Sequence, residues 1–184
     1  MLEVNFDPFP IFSTERLRLR QLNENDTNDL FILRSDNRVM QFIDRPLAKS
    51  PDDALKLIQL ITDFLKKNEG ITWGIELKSD TRLIGTIGLW RIFKEHYRAE
   101  IGYLLHPAQQ GKGIMQEAFT PILDYGFKTI KLHSIEATVN PENAASIKIL
   151  ERNNFEREAY FKENYFYNGN FLNSAVYSLL TPCK

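Results

Sequence analysis

The stretch that first suggests chemistry is Glu100-Ile-Gly-Tyr-Leu-Leu105, a strand-like run. After a short polar loop come Gln110-Gly-Lys-Gly-Ile-Met115 and a helical pattern. The glycines let the backbone turn sharply and approach a ligand closely. The helix beyond them presents unpaired N–H groups and the positive end of its dipole, so the unit makes an anion site suited to phosphate. Lys112 adds a cation. The same pattern also serves a plain strand-to-helix turn with two helpful glycines. Two phosphate fingerprints fit poorly. A Walker loop needs Ser or Thr after Gly-Lys, and Gly113 stands there. A dinucleotide fingerprint needs a third glycine, but Ile114, Met115 and Gln116 follow Gly113. Its acid, expected about 20 residues on, would be Glu136, early in its strand instead of at the end.

The second stretch is Asn140-Pro-Glu-Asn143-Ala-Ala-Ser146, continuing to Glu151-Arg-Asn-Asn-Phe155. Asn143 suits a helix N-cap, and Asn153 or Asn154 suits a left-handed ending. Ser146, Ile149 and Leu150 share a helix face, so Ser146 points inward, where a hydroxyl bonded to backbone is the usual arrangement.

These residues need a scaffold, and the chain supplies an alternating one. Residues 17–22 alternate with period two, as a strand with one buried face does. Asn25 or Asp26 is a candidate cap for a helix running to about Arg34. Ser50-Pro-Asp-Asp53 is a stronger helix start, with a capping hydroxyl, Pro at the first position and acids facing the dipole. Strands are expected at 72–77, 83–90, 100–105 and 134–139, and helices at 114–129 and 143–152. Pro121 falls inside its helix and removes the bond to the Glu117 carbonyl, predicting a kink or early irregularity there. Residues 155–165 and 171–179 read as a hairpin turned by Asn168-Gly169, a pair that favours positive φ.

Composition bounds the function. The 184 residues suggest one domain over 1–184, with 23 Lys and Arg against 24 Asp and Glu. That balance speaks against nucleic acid and against a polybasic membrane binder. A hydrophobic fraction of 43% fits a soluble globular chain. The single cysteine, Cys183, cannot form an internal disulfide, and no Cys pair is present to bind a metal. Residues 1–12 lack the pattern of a secretory signal, so a cytoplasmic location is expected.

Taken in order, several stretches resemble the GNAT superfamily of N-acetyltransferases, and within it the ribosomal-protein N-terminal acetyltransferases of the RimJ/RimL type. The opening is Thr14-Glu-Arg-Leu-Arg-Leu-Arg20. Then come Ile84-Gly-Thr-Ile-Gly88, Ala99-Glu-Ile-Gly-Tyr103, the loop from Gln110 to Ala118, Asn140 to Ser146, and Glu151 to Phe155. Met115 and Asn154 stand where the general pattern has Gly or Ala, and Gly. The resemblance covers nearly the whole chain. It implies an α/β (α+β) fold, a mixed, mostly antiparallel sheet with splayed central strands flanked by helices. Acetyl-CoA would wedge between the strand ending at Leu105 and the one from Ser134. Backbone groups near Leu104 and Leu105 would pair with pantetheine. N–H groups of Gln110, Gly111, Lys112, Gly113, Ile114 and Met115 would hold the pyrophosphate. Asn143 would contact the pantetheine arm. No metal is implied, and a homodimer is.

By the same resemblance, an amine attacks the thioester directly. Glu100 is the candidate base, acting through water, with an ion pair to an arginine such as Arg98 as the alternative. Backbone N–H near Leu105 would polarise the thioester carbonyl. Ser146 is the candidate acid for the leaving thiolate, with a structural hydroxyl as the alternative. His96, His106 and His133 are weaker base candidates, His106 reading as a corner residue. Residues 34–49 are an expected acceptor wall. The hairpin aromatics read first as cross-strand pairs, with an acceptor pocket or an oligomer contact as the alternatives. The leading acceptor is a protein or peptide N-terminal α-amine. Rivals are a small amine (polyamine, aminoglycoside, amino acid or dipeptide) and a non-catalytic acyl-CoA-binding module. A nicotinamide oxidoreductase is disfavoured by the missing third glycine.

Overall fold

The computed structural model describes residues 1–182, so Cys183 lies outside the described residues. Eight strands form one sheet in the order β1-β2-β3-β4-β5-β6-β8-β7. They are β1 (Phe12–Ser13), β2 (Leu17–Gln21), β3 (Ile71–Leu77), β4 (Asp80–Phe93), β5 (Arg98–Leu105), β6 (Ser134–Val139), β7 (Glu156–Tyr167) and β8 (Asn170–Leu180). Neighbours pair antiparallel except β5 and β6, which run parallel. The helices are α1 (Thr27–Ser35), α2 (Asn37–Met40), α3 (Pro51–Lys66), α4 (Ile114–Asp124) and α5 (Ala144–Arg152).

Alternation along the strands sorts side chains onto two faces. On one, Leu17, Leu19, Trp73, Ile75, Ile87, Leu89 and Ile101 pack with Ala118, Phe119 and Ile122 of α4 and Leu150 of α5. On the other, Leu22 and Leu83 pack with Leu30 and Leu33 of α1 and Ala54 and Ile58 of α3. Leu104 joins this second cluster. The sheet is thus packed against helices on both sides.

Local chemistry explains the ends of the elements. Ser50 and Asp53 close a capping box at α3, with Pro51 at its first position. Asp26 stands at the N-cap position of α1, as expected, but makes no capping bond there. Its carboxylate instead closes a capping box with Asn23 over the 3-10 turn Glu24–Asp26 and pairs with Arg20. The chain stays helical through Pro121. Irregularity comes one turn later, as a π-helical segment at Tyr125–Ile130 that ends in left-handed Lys131. Asn168 and Gly169 both have positive φ at the hairpin turn, and Asn154 has φ 61° after α5.

Candidate active site

The parallel pairing of β5 with β6 runs only from Arg98↔Ser134 to Glu100↔Glu136 among the described residues. Beyond it the strands separate, which opens the sheet at its middle. The His106 N–H donates to the Ile84 carbonyl at 2.8 Å. By the two-residue alternation of an antiparallel ladder, Leu104 therefore turns its N–H and C=O to Thr86 of β4, while Tyr103 and Leu105 turn theirs to the gap. The Leu105 carbonyl accepts from Gln110 Nε2 at 3.1 Å, which ties the loop to the end of the strand.

After β5 the chain makes a tight 3-10 turn, Pro107–Gln109, capped by the His106 side chain at the Ala108 N–H. Its imidazole therefore serves as a corner. Gly111 and Gly113 then take φ of 73° and 74°, a region open to glycine at little cost. A Cβ on Gly111 would meet nothing within 4 Å. The loop is open where a phosphate would approach, and α4 starts at Ile114 directly beyond it. Ile114 and Met115 bury their side chains in the core, so they offer the gap their backbone.

A brace holds this loop from the N-terminal side. Arg16 donates from Nη1 to the Lys112 carbonyl at 2.9 Å and from Nε to Glu117 at 2.6 Å. Glu117 also accepts from the Arg16 N–H and from the Thr14 hydroxyl. Burial works to raise the Glu117 pKa, but these bonds together hold it below the usual carboxylate value.

Ser146 lies in the first turn of α5, whose cap is Asn143. Asn143 Oδ1 accepts from the Ser146 N–H at 3.0 Å. The Ser146 hydroxyl is buried and lies 2.5 Å from the phenolic oxygen of Tyr103 on β5. It is thus bonded to a side chain across the gap. The Tyr103 ring packs edge-on against Phe119 at 4.9 Å. Burial pushes its pKa up to about 12, the bond to Ser146 acting the other way. Gln116 and Asn153 exchange two amide hydrogen bonds, which fixes α4 to α5.

Glu100 faces the opposite side of the sheet, the side covered by α1 and α3. It is buried and accepts from Arg91 Nη1 at 3.0 Å. Arg98 is not its partner, since Arg98 pairs with Glu136 at 3.5 Å. The reason is a register shift in β4 after Trp90, where Arg91 takes φ 46° and its guanidinium reaches the neighbouring strand. Burial raises the Glu100 pKa above the ordinary glutamate value, against the charge of Arg91 and with that of Glu136. The gap is thus flanked by a carboxylate on one face and a hydroxyl pair on the other.

The acetyltransferase (GNAT) domain family matches residues 16–156. The chain belongs to the GNAT acetyltransferase family. It is 33% identical over 174 residues to the uncharacterized N-acetyltransferase YoaA of Bacillus subtilis, covering 95% of this chain and 98% of the relative. It is 26% identical over 175 residues to the ribosomal protein uS5-alanine N-acetyltransferase of Escherichia coli, with 92% and 90% covered. Its fold is similar to that of spermidine N-acetyltransferase from Vibrio cholerae in complex with CoA and spermine. The TM-score there is 0.80 at 26% identity, with 91% and 97% covered. The uS5-alanine relative supports the RimJ/RimL-like branch. No helix of this acetyltransferase, among the described residues, is long and apolar enough to cross a membrane.

Sequence reasoning missed three features of the site. Tyr103 stood in the quoted Glu100-to-Leu105 stretch, but nothing local joins it to a serine 43 residues on. Arg91 sits in what reads as a regular strand. The Arg16–Glu117 brace had a signal, since Arg16 lies in the opening pattern of the family.

Proposed function

We propose that the chain transfers the acetyl group of acetyl-CoA to a primary amine, with a protein or peptide N-terminal α-amine as the leading acceptor. The observation that carries this reading is the gap between β5 and β6, with the open glycine loop at one end and Glu100 and Ser146 on opposite faces. Two reactants can then approach from opposite sides of the sheet.

When bound, acetyl-CoA supplies the activated acetyl thioester. Backbone N–H groups from Gln110 to Met115, with Lys112, hold the pyrophosphate at the start of α4. Backbone groups of Tyr103 and Leu105 pair with the pantetheine arm, and Asn143 lies beside it. The gap-facing N–H of Leu105 polarises the acetyl carbonyl. Glu100 takes the proton of the incoming amine through water. Its raised pKa suits a base working near neutrality better than an ordinary carboxylate would. An α-amine, with a pKa near 8, needs less help than a lysine at about 10.4. Ser146, steadied by Tyr103, donates toward the leaving sulfur.

A small amine is the second reading, favoured by the likeness to the spermidine acetyltransferase fold. The first experiment is thermal stability with acetyl-CoA, CoA or NADH. Ligand at about 100 times its Kd adds about 2.7 kcal/mol of stability. Shifts with both CoA species and none with NADH support the site and lead to an amine screen. No shift with acetyl-CoA up to millimolar concentration, in a folded sample, overturns the transferase reading.

A further inference from the structure

We infer that the cleft between α1, α3 and the segment leading into α3 is an anion subsite that receives a carboxylate carried by the acceptor. The inference rests on the acetyltransferase reading and adds what the acceptor bears beside its amine.

The cleft holds about 350 Å³, and its walls include Arg34, Leu47, Lys49, Asp53, Ala54 and Leu57. They are largely apolar. The Arg34 guanidinium is half-buried there and forms no ion pair or hydrogen bond among the described residues. Burial lowers its pKa, the charge of Arg45 acts in the same direction, and the Tyr167 phenol acts against both. The nearby acids are committed elsewhere. Asp53 accepts from the Lys49 and Ser50 N–H groups, Asp36 holds Arg38, and Asp44 accepts from the Tyr165 hydroxyl. The chain treats Arg20 differently, pairing it with both Asp26 and Glu76. A cation withdrawn from water without a counter-ion is costly, and a planar guanidinium fits a carboxylate with two parallel bonds.

The cleft opens on the acceptor side. α1 and α3 cover the sheet face that carries Glu100 and Leu104. The Asp44–Tyr165 bond, 2.7 Å long, fastens the segment before α3 to β7. The carboxylate has two sources of the same chemistry, an acidic side chain near the amine of a peptide or the α-carboxylate of an amino acid. A polyamine brings cations to Arg34, Arg45 and Lys49.

The test compares kcat/KM for Ser-Asp-Gly amide against Ser-Asn-Gly amide, and for serine against serinamide. The expected result is a preference of tenfold or more for the charged member of one pair, which also identifies the source. Arg34→Gln reduces that preference at least tenfold, through KM. Arg34→Lys restores part of it, because charge returns without the fork. The acetyl-CoA thermal shift of each variant reports an intact fold and cofactor site. Binding without chemistry is read by calorimetry with 3-hydroxypropanoyl-Asp-Gly amide and 3-hydroxypropanoate, which lack the amine. Equal use of both members in both pairs overturns the inference. So does an equal preference in Arg34→Gln, or binding of both probes that is absent or indifferent to Arg34. Loss of the transferase reading appears separately, as no acetyl-CoA shift in the wild type.

Discussion

Removing the phenolic oxygen of Tyr103 is expected to slow acetyl transfer without weakening cofactor binding. Tyr103→Phe keeps the ring and its edge-on contact with Phe119. What it removes is the 2.5 Å bond to Ser146. A hydrogen bond contributes about 0.5–1.5 kcal/mol net, and a buried partner left unsatisfied costs about 1–3 kcal/mol. The Ser146 hydroxyl can turn, so about 1.5 kcal/mol is expected, a Tm lower by about 3–6 °C for a chain this size. The catalytic loss comes from Ser146 no longer being aimed. General acids give about 10²–10⁴, but a thiol with a pKa near 8.5 leaves readily unaided, so about tenfold in kcat is expected. Ser146→Ala shows a similar fall, with the acetyl-CoA KM within about twofold. Because Tyr103 acts through Ser146, the double variant is no slower than Ser146→Ala. CoA release measured with a thiol reagent, with single-turnover rates to establish that chemistry limits, completes the cycle. Losses that multiply in the double variant, or an unchanged kcat with chemistry limiting, refute the reasoning. A purely structural pair moves Tm and leaves the catalytic coupling at zero.

The other predictions concern charge, loop and backbone. Arg91→Gln removes the cation that opposes burial at Glu100, so the Glu100 pKa rises further and the acid limb of the kcat–pH profile moves to higher pH. An unmoved limb refutes the base assignment. Glu100→Gln loses most activity, yet its Tm relative to wild type rises with pH. A carboxyl with a raised folded pKa contributes stability at low pH that is lost as pH climbs through that pKa. Glu117→Ala frees Arg16 and Thr14, raising the acetyl-CoA KM several-fold. Its pKa is lowered, so the stability it adds is present above the ordinary glutamate value and fades on acidification, and the Tm gap between wild type and variant narrows at low pH. Asn154→Gly leaves Tm nearly unchanged, whereas Asn154→Ile, β-branched at φ 61°, costs about 1–2 kcal/mol on chemical denaturation.

Much of the scaffold was legible in local chemistry. Ser50-Pro-Asp-Asp53 announced the start of α3, and Asn168-Gly169 the hairpin turn. Gly111 and Gly113 marked the loop whose backbone is left-handed twice. Strand β4 was harder. Its expected range ended at Trp90, because nothing in the residues that follow signals a bulge that lets the strand run on to Phe93. Asp26 was legible as the residue before α1, but the 3-10 turn capped by Asn23 was not, because Asn23, Asn25 and Asp26 are all capping residue types. What the Asp26 side chain does there depends on Arg20, in β2, drawing its carboxylate.

The sequence by itself determined the order of the longer strands and helices, though not the short β1 and α2, as well as the glycine loop ahead of α4 and the chemical types of Glu100 and Ser146. Capping, turn formation and periodicity act within about four residues, so residue identity suffices for them. Only the tertiary structure decided that Glu100 and Ser146 flank the gap from opposite faces. It likewise decided that Arg91 and not Arg98 holds Glu100, that Tyr103 meets Ser146, and that Arg34 pairs with no anion among the described residues. Each of these depends on strand register, on a bulge, or on which helix covers which face. Those are set by packing between segments distant in the chain, and local preferences do not reach that far.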